Sequence, residues 1–168
     1  MKRDKGFTIV ELLIVIVVIG ILAAITIVAY NGIQTRARNS QTISVIGTYQ
    51  KVMMLYAADQ SSYPSITTGV CLGAGYSSGH CWVGTNGDYY ENATFDGLLK
   101  PYLSVKPNMP GTTYTLPSGD VRSGAAYIRA SRQITYYLDG QNQTCGVSGA
   151  TASNTTGATQ CALVLPLP

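Results

Sequence analysis

The chain has 168 residues, of which 46% are apolar and 11% are charged, and its formal net charge is +3. This length allows one small domain with an attached element and excludes two domains of ordinary size. Much of the charge comes from Lys2, Arg3 and Lys5, against Asp4, so no global basic surface remains to indicate a nucleic-acid-binding protein. Beyond an apolar N-terminal block, the chain is polar mainly through Gly, Ser, Thr, Asn and Gln, which suits an extracytoplasmic β-rich domain better than a cytosolic enzyme.

The first predicted element is a long apolar helix. From Leu12 to Tyr30 only Gly20 and Thr26 interrupt a run of strongly apolar residues. At 1.5 Å per residue the run is about 28 Å long, close to the thickness of the hydrocarbon core of a membrane. The basic residues before it predict a cytoplasmic N-terminus, with the rest of the chain outside.

A single carboxylate, Glu11, lies near the start of this apolar segment, where an ionised group costs about 3 kcal/mol and so indicates a function with a partner. Three interpretations compete. A signal peptide has a shorter apolar stretch and a small-residue cleavage site, which Ile27-Val28-Ala29 provides poorly. A plain membrane anchor leaves Glu11 unexplained. Cleavage after Gly6 would instead make Phe7 the new N-terminus, with Glu11 within the first helical turns.

The helix is predicted to continue as an amphipathic helix to about Ala58. Apolar residues recur at spacings of three and four, which is typical of a helix packed on a core. The weak points are Gly20, Asn31-Gly32 and Gly47, because glycine costs about 1 kcal/mol in a helix interior. The apolar stripe consists of Thr42, Val45, Ile46, Tyr49, Val52, Met53 and Tyr56, and the polar face carries Arg38, Gln41, Gln50 and Lys51.

The remaining residues are predicted to form a globular head. Residues 61–92, rich in Gly and Ser, are expected to be a long loop, and Thr94–Leu103 a short helix interrupted by Pro101. In Gln133–Asp139 apolar and polar residues alternate, as in a half-buried antiparallel strand. The expected fold class is α+β, with a long N-terminal helix packed on a small antiparallel sheet. The strand candidates are Thr112–Leu116, Ala125–Ala130, Gln133–Asp139 and Ala162–Leu165.

Four cysteines follow the apolar helix, and an even number in an exported region predicts two disulfides. Three connectivities are open, of which the local pairings Cys71–Cys81 and Cys145–Cys161 are favoured. A zinc site is the alternative, but the spacings lack a CxxC pair and His80 is the only histidine.

Catalytic and cofactor-binding motifs do not stand out, so neither an enzyme nor a cofactor is predicted. His80 is expected to be a polar loop residue. Asp88, Glu91 and Asp96 lack the spacing of a calcium loop, so a solvated acidic surface is favoured over a metal site.

A cluster of arginines and tyrosines in the predicted sheet carries a further hypothesis. Basic residues beside stacking aromatic rings can form a DNA-binding strip, whereas a solvated sheet face with core tyrosines is the ordinary interpretation. The candidate DNA-binding residues are Arg129, Arg132, Tyr136 and Tyr137, with Arg122, Tyr114 and Tyr127 nearby in the sequence.

The segment KGFTIVELLIVIVVIGILAAI, from Lys5 to Ile25, resembles the N-terminal signature of type IV pilins and pseudopilins. The matching features are a basic leader ending in Gly6, then Phe7-Thr8, then Glu11 followed by two leucines. The resemblance implies cleavage after Gly6 by a prepilin peptidase and N-methylation of Phe7. It also implies that Glu11 neutralises the amino terminus of a neighbouring subunit during filament assembly.

Two later segments extend this resemblance. YAADQSSYP, from Tyr56 to Pro64, is similar to the end of the long helix in pilins. Cys145–Cys161 is similar to their disulfide-bounded C-terminal loop, and its interior is expected to be exposed and variable in conformation. The implied organisation is a leader over 1–6, an apolar helix over 7–30, an amphipathic helix over 31–58 and a head over 59–168.

The resemblance implies a structural subunit that polymerises through its N-terminal helix into a surface filament for adhesion, twitching motility or DNA uptake. The expected partners are copies of itself and other pilins, a prepilin peptidase and an inner-membrane assembly platform, with DNA as a candidate ligand. The precursor is expected in the cytoplasmic membrane and the mature subunit in an extracellular pilus. Two alternatives stay open, namely a pseudopilin of a type II secretion system and a membrane-anchored binding domain that never polymerises.

Overall fold

The computed structural model of the chain describes residues 7–76, 78–85, 87–110 and 112–168. Two compact units are present, one ending at Arg36 and the other beginning at Ala37. Within the described residues the helices are α1 (Ile9–Gln60) and α2 (Ala93–Leu99). The strands are β1 (Val70–Leu72), β2 (His80–Val83), β3 (Tyr89–Tyr90), β4 (Thr113–Thr115), β5 (Val121–Ser123), β6 (Ala125–Ile128), β7 (Gln133–Asp139), β8 (Ala150–Thr155) and β9 (Ala158–Val164).

Helix α1 is a single helix of 52 residues. It stays helical through Gly20, Asn31-Gly32 and Gly47, so the glycines do not break it. It ends at Gln60, slightly beyond the predicted end, where Ser61 adopts a left-handed backbone conformation with φ 53°. A residue in this conformation commonly terminates a helix.

The second half of α1 forms one wall of the hydrophobic core. Ile46 and Met53 have no exposed surface and Tyr49 is 1% exposed, so the predicted apolar stripe is confirmed. The Tyr49 hydroxyl accepts a hydrogen bond from the Gly73 amide at 2.9 Å, which satisfies its polar end inside the core. On the opposite face Lys51 is exposed, as predicted.

The nine strands form one sheet in the order β4-β5-β2-β3-β1-β6-β7-β9-β8. Its longest pairing joins β7 and β9 antiparallel, from Gln133 opposite Val164 to Asp139 opposite Ala158. All pairs are antiparallel except β1 with β3. The α+β fold class is confirmed, although the sheet is larger than the sequence predicted and is not wholly antiparallel.

Two predicted loops contain strands, so those predictions were wrong. Residues 61–92 contain β1, β2 and β3, and the interior of Cys145–Cys161 contains β8 and the first three residues of β9. Neither segment has a strong apolar alternation, and both gain their strand conformation by pairing with neighbours, as when β9 pairs with β7. The side chains of β8 are nonetheless largely exposed, as expected for that segment.

The bounds of β7 were predicted correctly, but its exposure was not. Its polar face was expected to be solvated, whereas Thr135, Tyr137 and Asp139 are buried along with the apolar face. The second face is covered by aromatic side chains, with the Tyr137 ring centroid 5.7 Å from that of Tyr114 and 6.4 Å from that of Trp82. The alternating pattern of β7 cannot show that residues distant in the sequence cover this face.

Asn39 ties α1 to the end of β7. Its side-chain amide donates to the Asp139 carbonyl at 3.0 Å and accepts from the Asp139 amide at 2.8 Å, although the two residues are 100 positions apart. Arg38, on the predicted polar face, is exposed and pairs with the Asp139 carboxylate at 2.7 Å. Asn39 and Asp139 are each 8% exposed, so water is largely excluded here. The backbone groups of Asp139 therefore depend on Asn39 for hydrogen bonds.

We expect Asn39→Ala to lower the free energy of unfolding of the head by about 2 kcal/mol, because it leaves two buried backbone groups of Asp139 without partners. Ser40→Ala, at the exposed neighbouring position, is the control and should change stability by less than about 0.5 kcal/mol. Urea unfolding of the full chain in nonionic detergent, followed by near-ultraviolet circular dichroism, measures both. Equal stabilities for the two variants would contradict this role of Asn39.

Candidate functional sites

The first half of α1 exposes apolar side chains in every direction. From Ile9 to Ile27 each large apolar side chain is 48–81% exposed. Among the described residues, α1 is the one helix long and apolar enough to cross a membrane. A helix that is apolar on all sides needs lipid or other helices around it, because water does not solvate such a surface.

Glu11 is held by Thr8 at the start of this helix. The Thr8 amide and the Thr8 hydroxyl each donate to Glu11 Oε2 at 2.8 Å, and the Glu11 amide donates to the Thr8 hydroxyl at 3.3 Å. This reciprocal arrangement is a capping box, formed by a threonine and a glutamate three residues later. The pattern Thr-Ile-Val-Glu was visible in the sequence, so the contact could have been predicted from it.

The predicted processing site spans the edge of the described residues. Gly6 lies outside them, whereas Phe7 is described and is 87% exposed. The capping box uses groups of Thr8 and Glu11 alone, so cleavage after Gly6 would leave it intact. Within the described residues Glu11 Oε1 accepts no hydrogen bond, which leaves one carboxylate oxygen available to a further partner.

Both disulfides are present in the favoured pairings. Cys71 and Cys81 join β1 to β2, with their Cα atoms 5.6 Å apart. Cys145 and Cys161 join the segment after β7 to β9, with their Cα atoms 5.7 Å apart. All four cysteines are 5% exposed or less, so both bonds belong to the interior of the head. No free cysteine occurs in the described part of the chain, and the zinc alternative has no thiolate left to bind a metal.

The predicted DNA-binding strip does not form as expected. Tyr136 has no exposed surface and donates its hydroxyl hydrogen bond to the Cys145 carbonyl at 2.7 Å. Tyr137 is 4% exposed and packs beneath Tyr114, so neither ring can stack on a base. Arg129 and Arg132 lie at the turn between β6 and β7, where Arg129 is exposed and Arg132 is half-buried.

Arg122, also near that predicted strip, is a buried structural residue. Its guanidinium donates to Asp120 Oδ2 at 2.9 Å and lies 4.7 Å from the centroid of the Trp82 ring. Asp120 also accepts from the Thr85 amide at 3.0 Å. The Thr85 hydrogen bond and the Arg122 guanidinium together hold the pKa of the Asp120 carboxyl below its usual value.

The acidic residues considered for calcium are bonded elsewhere. Lys106 pairs with Glu91 at 2.9 Å and with Asp96 at 2.8 Å, and Asp88 accepts from the Gly84 amide at 3.1 Å. Across the described ranges, three or more His, Cys, Asp or Glu side chains nowhere come together to hold a metal. His80 begins β2 and is therefore not a loop residue, and its Nδ1 lies 2.8 Å from the Ser78 carbonyl oxygen.

The chain is similar to known proteins at its N-terminus and also over most of its length. The family model described as "Prokaryotic N-terminal methylation motif" matches residues 1–27. A fimbrial protein of Pseudomonas aeruginosa is 28% identical over 144 residues, which is 83% of this chain and 84% of that protein. Type II secretion system core protein G of Klebsiella pneumoniae is 26% identical over 113 residues, covering 66% of this chain and 81% of that protein.

A shorter match has higher identity. Fimbrial protein EcpC of Eikenella corrodens is 39% identical over 62 residues, which is 37% of this chain and 40% of that protein. No solved structure is significantly similar to the chain.

We expect the Cys145–Cys161 bond to stabilise the head by about 3 kcal/mol, because it closes a loop with a sequence separation of 16. The double variant Cys145→Ala, Cys161→Ala should lose this amount in urea unfolding. The double variant Cys71→Ala, Cys81→Ala, which opens the shorter loop with a separation of 10, should lose slightly less. A head that unfolds at the same urea concentration with and without Cys145–Cys161 would contradict the prediction.

Proposed function

Because the chain belongs to the type IV pilin and pseudopilin family, whose members are structural rather than catalytic, we propose that it is a structural subunit of a type IV pilus. The subunit polymerises through α1 into a surface filament and displays its head to the outside. Its precursor resides in the cytoplasmic membrane, and its partners are copies of itself and other pilins, a prepilin peptidase and an inner-membrane assembly platform.

The observation that carries this proposal is the uniform exposure of apolar side chains along the first half of α1. The head has its own core and its own disulfides, and the described residues contain nothing that covers the segment from Ile9 to Ile27. Lipid can cover it before assembly, and the same segments of other subunits can cover it in a filament. A filament core of packed apolar helices therefore accounts for a surface that the isolated chain leaves open.

The arrangement at Glu11 supports a role in assembly. Cleavage after Gly6 creates an ammonium group on Phe7, and N-methylation leaves that group charged. In a low dielectric an unpaired ammonium and an unpaired carboxylate are both unfavourable, and pairing them across two subunits removes both penalties. Glu11 Oε1, which accepts no hydrogen bond within the described residues, can accept that ammonium while Oε2 stays bonded to Thr8.

A pseudopilin of a type II secretion system is the second candidate. The similarity to the secretion protein of Klebsiella pneumoniae favours it, since that match covers 81% of the relative. The match to the Pseudomonas aeruginosa fimbrial protein covers more of this chain and favours the pilus. Deletion of the gene separates the two, because loss of a pilin removes surface filaments and loss of a pseudopilin blocks protein export while leaving pili in place.

The first measurement is N-terminal sequencing and intact mass of the protein recovered from sheared surface filaments. We expect a chain that starts at Phe7 and carries the added mass of one methyl group. A chain that starts at Met1 and occurs in the membrane fraction alone would contradict the pilus proposal. That result would leave the membrane-anchored domain that never polymerises.

We expect Glu11→Gln to be processed normally but to abolish detectable filaments. Glutamine still completes a capping box with Thr8, so the helix start is preserved while the negative charge is lost. Removing one member of a buried ion pair costs about 3–5 kcal/mol because it strands the opposite charge. Electron microscopy and a shearing assay measure filaments, and N-terminal sequencing of the membrane fraction measures processing.

Thr8→Val is the matched control for Glu11→Gln. It removes the capping hydroxyl and keeps the carboxylate, so filaments should persist. If Glu11→Gln assembles normally while Thr8→Val does not, the carboxylate serves only as a helix cap and the charge-pairing proposal is wrong.

A further inference from the structure

A groove of about 860 Å³ opens on the head beside the turn between β6 and β7. Its walls are Ser62, Tyr63 and residues 66–69, which precede β1, and residues 127–132, with Tyr89 and Pro168 completing the lining. The volume lies within the range of sites that bind small molecules, about 300–1,000 Å³. The groove lies wholly within the unit that begins at Ala37.

The groove is lined by two arginines. Arg129 and Arg132 both line it, and no Asp or Glu side chain does. Within the described residues neither arginine forms an ion pair, whereas Arg38 and Arg122 each pair with an aspartate. A pair of guanidinium groups without counter-ions is suited to a carboxylate or phosphate, which each can bind through two parallel hydrogen bonds.

Tyr127 places an unpartnered hydroxyl at the same groove. The side chain has no exposed surface, and its hydroxyl has no hydrogen-bond partner among the described residues. Its ring is fixed against Phe95, with the ring centroids 5.9 Å apart. Burial raises the pKa of Tyr127 to about 12 although Arg129 and Arg132 act in the opposite direction, so the hydroxyl is neutral at physiological pH. A buried polar group without a partner is uncommon and calls for an explanation such as a ligand.

The backbone of Arg132 adopts a conformation that arginine does not favour. Its φ is 52°, a left-handed conformation that suits glycine or asparagine better than arginine. Hydrogen bonds hold it there, from the Arg132 amide to the Arg129 carbonyl at 3.0 Å and from the Leu165 amide to the Arg132 carbonyl at 2.9 Å. The four-residue turn between Ile128 and Gln133 sets this conformation, and it does not require an arginine at this position.

We propose that this groove binds a saccharide that carries an anionic group, either a carboxylate or a phosphate ester. Arg129 and Arg132 bind the anion, and the hydroxyls of Thr67, Thr68 and Ser131 are placed to hydrogen-bond sugar hydroxyls. The site does not depend on the proposed function, because it requires the folded head alone and not the type of filament that displays it.

Nucleic acid fits the groove less well. Base stacking needs an exposed ring face, whereas Tyr127 is 0% exposed and Tyr63 is 7% exposed. A nucleic-acid strip also needs cations that follow an extended backbone, and the two arginines are confined to one turn.

Calorimetric titration of the full chain in a nonionic polyoxyethylene detergent, which contains no sugar, tests the proposal. The probes are glucuronate, glucose 6-phosphate, glucose, inorganic phosphate and a single-stranded oligonucleotide. We expect saturable binding of glucuronate or glucose 6-phosphate, with affinity at least about tenfold above that for glucose and for inorganic phosphate. The stronger of the two anionic sugars identifies the anion as a carboxylate or a phosphate ester.

Three outcomes would overturn the proposal. No saturable binding of either anionic sugar removes the site. Equal affinity for inorganic phosphate reduces it to simple anion binding. Tighter binding of the oligonucleotide than of either sugar assigns the groove to nucleic acid.

Variants localise the binding. Arg129→Gln and Arg132→Gly should each weaken the binding of the anionic sugar by about tenfold, since each removes one charge-assisted contact. Arg132→Gly should keep the melting temperature close to that of the unchanged protein, because glycine tolerates the positive φ. Lys100→Gln removes one exposed positive charge outside the groove and should leave affinity unchanged. Equal weakening by Lys100→Gln would show a general charge effect and contradict the proposed site.

Tyr127→Phe separates a ligand contact from a purely structural role. The change removes only the unpartnered hydroxyl, so the melting temperature should not fall. We expect affinity for the anionic sugar to fall, because the variant removes the buried polar group of the groove. Unchanged affinity with a raised melting temperature would mean that the hydroxyl is only an internal defect, and the groove would lose its buried polar contact.

Discussion

The apolar surface around the first half of α1 is the constraint on which the rest of the molecule depends. That surface faces outward on all sides of the helix, so lipid or other helices must bury it. The second half of the same helix buries its stripe in the head, with Ile46 and Met53 fully enclosed. One continuous helix thus links a segment that needs partners to a head that folds on its own core and disulfides.

Local signals in the sequence predicted a substantial part of this structure. The stripe through Ile46, Tyr49 and Met53 follows helical periodicity, which depends on neighbours three and four residues away. The bounds of β7 follow from an alternating segment that ends at a glycine. The capping box at Thr8 and Glu11 was not predicted, although its pattern is equally local, and the N-terminal features that indicate the family are contiguous. Each of these features is determined within a few residues, so each can be read without tertiary structure.

Long-range features were not predictable in the same way. The bond between Asn39 and the end of β7 joins residues 100 positions apart, and no local pattern marks it. Strands β1 and β8 lie in segments rich in Gly, Ser and Thr, and they form because adjacent strands offer unpaired backbone groups. The predicted DNA-binding strip shows the same limit. Arg129 was selected from the sequence, but its tyrosine neighbours were mispredicted because Tyr136 and Tyr137 are both covered by distant elements.

Under the proposed function, Glu11 serves the subunit both before and after assembly. In the single chain, Thr8 supplies two hydrogen bonds to one carboxylate oxygen, which stabilises the start of the helix and offsets part of the penalty for an anion beside apolar surface. Those bonds do not neutralise the charge. Under the proposed function the ammonium of a neighbouring subunit does so, and a subunit that already holds its carboxylate in place loses less side-chain entropy when that ammonium arrives. The cap therefore favours assembly by fixing the geometry of the ion pair before the partner binds.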